Sequence, residues 1–99
     1  MLEIVAALGA ADVRVTRSQV AYRRRRAFAW TWLPGRWLRS PGAEVVLSVS
    51  LRRRDDSARW KEVVNPAPGR WMHHLEIRAA ADLDDEVAAW LAEAWTAAA

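Results

Sequence analysis

Glu44-Val45-Val46-Leu47-Ser48-Val49-Ser50-Leu51 alternates with a period of two. Val45, Leu47, Val49 and Leu51 point one way; Glu44, Val46, Ser48 and Ser50 point the other. Side chains leave successive strand residues on opposite faces, so this octapeptide reads as a strand with one face on a core and the other wet or thinly covered. That pattern belongs to antiparallel sheets. Upstream, Val13 and Val15 alternate with Arg14 and Thr16, and Val20 and Tyr22 with Ala21 and Arg23. Phe28, Trp30 and Trp32 recur at every second position, which predicts three aromatics on one strand face. Pro34-Gly35 and Pro41-Gly42 interrupt the chain. Downstream, Trp60–Val64 reads as a short strand and Asn65-Pro66-Ala67-Pro68-Gly69 as a stiff turn. Met72–Arg78 reads as a last strand, with His73, Leu75 and Ile77 facing the core and His74, Glu76 and Arg78 away from it.

Two helices flank these strands. Leu2, Val5 and Leu8 have helical spacing ahead of Gly9. At the other end Leu83, Val87, Trp90, Leu91 and Ala94 form an apolar helical stripe. Asp82 is placed to cap that helix, with Asp84, Asp85 and Glu86 in its first turn, where the positive end of the helix dipole favours acids. The expected architecture is α+β. A small, meander-like antiparallel sheet of about five strands carries a short N-terminal helix and an acid-capped C-terminal helix. The whole chain, residues 1–99, is one domain, because 99 residues with 53% hydrophobic content suffice for one core.

Composition excludes some chemistry. With no cysteine there is no disulfide, thiolate nucleophile or cysteine-ligated metal site. No apolar run approaches the roughly 20 residues of a bilayer span, and the start lacks a basic leader. A cytoplasmic protein without membrane association is therefore expected. Fourteen of the fifteen basic residues are arginine, and seven residues are tryptophan. Charge is segregated: Asp12–Arg78 carries net +9, whereas Ala79–Ala99 carries five acids and no base.

Several of these pieces stand in a known order. Val13-Arg14-Val15-Thr16-Arg17, Val20-Ala21-Tyr22 and Arg26-Ala27-Phe28-Ala29 are followed far downstream by His73-His74-Leu75-Glu76-Ile77, Asp82-Leu83-Asp84-Asp85-Glu86-Val87, Trp90-Leu91 and Glu93-Ala94-Trp95. This resembles the bacterial domain-of-unknown-function family numbered 5655, most closely over residues 13–33 and 71–96. The resemblance implies a compact α+β fold and no established activity.

Candidate functional residues fall into three groups. Arg23, Arg24, Arg25 and Arg26 occupy a predicted hairpin, and Arg52, Arg53 and Arg54 leave the fourth strand. If they share one end of the sheet they form a cationic rim suited to phosphate or a nucleic-acid backbone; otherwise they are solvated turn residues that discourage edge-to-edge pairing. Trp37 and Trp71 are candidates for base stacking or a partner contact. His74, Glu76 and Arg78 form a candidate polar cluster, with Tyr22 as a further member if it is a ligand site. His73 is expected to be buried and hydrogen-bonded. Adjacent strand residues cannot both ligate one ion, so His73-His74 is no metal pair, and capping accounts for the acidic run without a cation. No metal or cofactor is expected, and no phosphate loop, nucleophile elbow or zinc motif is present. The leading expectation is a non-catalytic binding or interaction domain with a protein partner or self-association. A nucleic-acid-associated module is the alternative, and a small ligand-binding protein or enzyme centred on His74 comes third.

Overall fold

The computed structural model describes residues 2–9, 11–16, 19–32 and 45–99. The fold is α+β: helix α1 (Leu2–Leu8), strands β1 (Asp12–Val15), β2 (Gln19–Arg23), β3 (Ala27–Trp32), β4 (Val45–Leu51), β5 (Glu62–Ala67) and β6 (Arg70–Ile77), and helix α2 (Asp85–Ala97). The strands form one six-stranded sheet in the order β1-β2-β3-β4-β6-β5, with every pairing antiparallel. The first four strands are a meander. The chain then crosses to the far edge as β5 before β6 returns beside β4, so the sheet has one strand more than expected and its last pair is out of sequential order.

The octapeptide pattern holds in three dimensions. Leu47, Val49 and Leu51 are buried, as are Leu75 and Ile77 of β6 beside them, and all join one core with Val87, Trp90, Leu91 and Ala94 of α2. Helix α1 adds Val5 to this layer and packs against α2. It ends at Gly9, where φ is +133° and an added Cβ would lie 2.8 Å from Cζ2 of Trp95. Both the left-handed backbone and the close helix contact therefore require glycine there.

Four expectations need correction. Phe28, Trp30 and Trp32 do not share a face. Tyr22 pairs with Ala29 and Arg23 with Ala27, so Phe28 is an extra, unpaired residue in β3. Such a bulge turns a side chain to the opposite face. Phe28 goes into the helix-covered core, 1% exposed. Trp30 and Trp32 keep the register of Ser48 and Val46, on the side away from α2. Second, that side is not wet at the centre of β4: Ser48 is fully buried and Val46 nearly so.

Third, Asn65-Pro66-Ala67 belongs to β5 rather than to the turn, which is confined to Pro68-Gly69. Proline cannot donate to a ladder, but an edge strand tolerates it, and the register shifts between Val64 and Ala67. Fourth, the cap of α2 is Asp84, which accepts from the Val87 N–H at 3.1 Å. Asp82 instead closes a single 3₁₀ turn (Ala80–Asp82), and its carboxylate accepts from the backbone N–H groups of Arg78 and Ala79. A carboxylate two residues earlier found two free donors of its own, which spacing alone does not distinguish from a helix cap.

Candidate anion-binding cleft

Helix α2 explains how the basic segments come together. Its N-terminus, held by Asp84, lies near the end of β6. Thirteen residues at 1.5 Å each carry it about 20 Å along the sheet to the opposite end. A helix C-terminus carries partial negative charge on its last carbonyls, and α2 has no basic residue in its last turn. The compensation comes from other elements. In the β2–β3 hairpin, the Arg24 guanidinium donates to the Trp95 carbonyl at 3.2 Å and lies 3.5 Å over the Trp95 ring. The Arg25 backbone N–H donates to the Ala98 carbonyl. From the end of β4, Arg52 donates to the Ala97 carbonyl at 2.9 Å.

Around this junction opens a cleft of about 400 Å³. Arg23 and Arg26 come from the β2–β3 hairpin, Arg52 from the end of β4 and Arg70 from the start of β6, while Phe28, Leu51 and Ala94 are among its apolar lining residues. No carboxylate lines it. Arg52 is partly committed to the helix end; Arg23, Arg26 and Arg70 make no side-chain hydrogen bond or ion pair among the described residues. The two arginine clusters therefore share one end of the sheet. Arg70 completes the rim, and sequence reasoning missed it. Its only signal was its position after Pro68-Gly69, which places it in a hairpin, but nothing local says that this hairpin lies beside Arg23–Arg26.

The other arginines of the clusters point elsewhere. Arg53 makes a bidentate pair with Glu93 (2.9 and 2.8 Å) and also reaches Asp55. Its hydrogen bond to Glu93 raises its pKa further above the arginine range. Arg54 is exposed with Asp56 3.8 Å away. Arg59, outside both clusters, holds Asp84 and Glu86 at the start of α2 and donates to the Asp82 carbonyl. The acidic run is thus occupied by caps and by Arg59.

Trp37 lies outside the described residues. Trp71 is half-buried in β6 opposite Leu51, and its carbonyl accepts from His73. His74 and Glu76 share the sheet face away from α2, but their side chains turn to different partners. Ser48 Oγ accepts the Trp32 indole N–H at 2.8 Å and is hydrogen-bonded to Nδ1 of His74 at 2.7 Å. Burial lowers the His74 pKa, with Glu62 opposing weakly. Glu76 lies 3.2 Å from the Lys61 ammonium and 3.4 Å from Arg78, which stands just beyond the strand. Tyr22 is buried on the helix side, its hydroxyl 3.4 Å from Oγ1 of Thr31, so it cannot join His74 and Glu76.

His73 is fully buried. Its Nδ1–H donates to the Trp71 carbonyl at 3.1 Å and its Nε2 accepts from the Asp55 N–H at 2.9 Å, while the Trp60 ring packs 4.9 Å away. Both nitrogens are used by the neutral ring. Among the described residues no three acidic or histidine side chains cluster as a metal site would require.

The fold and this cleft define a small α+β sheet domain with a helix-backed cationic cleft. The chain belongs to the domain-of-unknown-function family DUF5655, whose match covers residues 1–98. No curated protein and no solved structure matches it significantly. Among the described residues no helix is long and apolar enough to cross a membrane.

Proposed function

We propose that this domain is a non-catalytic binding module whose ligand is a phosphate-bearing anion held in the arginine cleft. One observation carries the reading: Arg23, Arg26, Arg52 and Arg70 converge from three separate segments on one concavity with no carboxylate in its lining. Like charges repel, so a folded chain gains nothing from gathering them unless something neutralises them. Only Arg52 is partly used by the helix end. Guanidinium groups bind phosphate oxygens through paired, charge-assisted hydrogen bonds, which gives the unpartnered arginines a ligand class. The domain is proposed to act in the cytoplasm, where phosphate-bearing ligands abound.

A protein-partner role has separate support at the β1 edge. There Val15 is 74% exposed and Val13 39%, beside backbone groups with no strand on their outer side among the described residues.

The anion reading is tested by tryptophan-fluorescence titration with pyrophosphate and with a short single-stranded oligonucleotide, at about 50 and 200 mM salt. Saturable change that weakens with salt and disappears in the Arg23→Gln/Arg26→Gln variant is the expected result. Binding of neither probe at the lower salt, with the protein folded, would overturn the reading and leave the β1 edge as the surface to pursue.

A further inference from the structure

We infer that the ligand of the arginine cleft is a compact oligophosphate, two or three linked phosphates, rather than a stretch of nucleic-acid backbone; this rests on the anion-binding reading above. Charge count and size lead to it together. The four arginines of the lining carry +4, no lining side chain offsets it, and the α2 C-terminal carbonyls oppose it only in part, through Arg52. The cleft, about 400 Å³, lies near the lower end of the range for small-molecule sites, roughly 300–1,000 Å³. Within that space a nucleic-acid strand places about one nucleotide and hence about one negative charge. A single phosphate monoester brings roughly −1.5 to −2. Two or three linked phosphates bring on the order of −3 to −4 in the same small volume, which matches the rim.

The surroundings argue the same way. A strand needs a basic track and aromatic platforms outside any one pocket. Beyond the cleft, Arg53 and Arg59 are in short ion pairs with carboxylates and Arg54 faces Asp56, so among the described residues the positive surface does not continue along α2. Phe28 is the aromatic of the cleft lining, and Trp95 of α2 stands outside that lining. Phe28 is 1% exposed, and one face of Trp95 is covered by the Arg24 guanidinium. What remains is a rim of planar donors around a small cavity, suited to many anionic oxygens held close together.

The inference is tested by isothermal titration calorimetry on the full chain at about 0.15 M salt. The probes are inorganic phosphate, pyrophosphate, tripolyphosphate, ATP and a short single-stranded DNA. Affinity is expected to rise from phosphate through pyrophosphate to tripolyphosphate by at least about tenfold, as two or more charge-assisted hydrogen bonds are added. The DNA is expected to bind more weakly than tripolyphosphate. Arg23→Gln and Arg70→Gln each remove the preference, while Arg14→Gln on β1 leaves it intact; thermal unfolding confirms that all three fold.

ATP binding at least as tightly as tripolyphosphate identifies a nucleotide as the source of the phosphates. Weaker ATP binding identifies the free chain; both agree with the inference. Phosphate and tripolyphosphate binding alike, or DNA binding more tightly than either, overturns it while leaving an anion-binding cleft in place. Binding of no probe removes both readings.

Discussion

Two adjacent histidines show how strand alternation separates roles. His73 points into the core, where its neutral ring satisfies one donor and one acceptor of the loop and strand around it. His74 points to the opposite face and shares a hydrogen bond with a buried serine. Alternation in the sequence predicted which would be buried, but not the partners, because Asp55 and Ser48 are brought there by the β4–β5 crossing and the β4–β6 register. Burial lowers both pKa values below 6.5, the Trp71 carbonyl opposing it at His73. The unfolded chain therefore binds protons more readily than the fold, and stability is complete above about pH 6.5 and falls as pH drops below it. Urea unfolding at stepped pH is expected to show a midpoint that declines from pH 7 towards pH 5, ahead of any carboxylate titration. His73→Leu leaves the Asp55 N–H and the Trp71 carbonyl without their partner. It should cost about 1–3 kcal/mol at pH 7.5 and flatten the decline, since one of the two titrating groups is gone.

At the scale of elements, the charge asymmetry of the sequence has a structural cause. Helix α2 is acid-rich at its start and carries no cation at its end, and the hairpin and strand ends of the basic half supply what it lacks. This divides the arginines into two kinds that look alike in the sequence. Arg24→Ala removes a carbonyl contact and a cation–π contact, and is expected to lower stability by about 1 kcal/mol in denaturant unfolding. Arg23→Gln, with no partner among the described residues, should leave the unfolding midpoint unchanged while weakening anion binding. Equal stability loss from both would mean that Arg23 too is structural. The bulge at Phe28 is the element-scale feature that sequence concealed. Period two ran unbroken through Phe28, Trp30 and Trp32, and only the pairing of Arg23 with Ala27 reveals the extra residue.

Across the whole molecule, the α+β class, both helices and the core strands were legible because periodicity and capping residues are local signals. Strand order was not, because the crossing that puts β5 outside β6 depends on which edges meet. The cleft is a product of that order together with the length of α2. It needs the β2–β3 hairpin, the end of β4, the β5–β6 hairpin and the helix C-terminus at one end of the sheet, and only the arginine runs hinted at it. The central claim is that this end of the sheet is where an anion binds. The most direct test follows backbone amide chemical shifts during titration with tripolyphosphate. Changes are predicted to concentrate at the β2–β3 hairpin, around Arg52, at Gly69 and Arg70, and in the last turn of α2, with the face bearing Trp32, Ser48 and His74 unmoved. Shifts centred on that opposite face, or spread evenly over every exposed arginine, would contradict it.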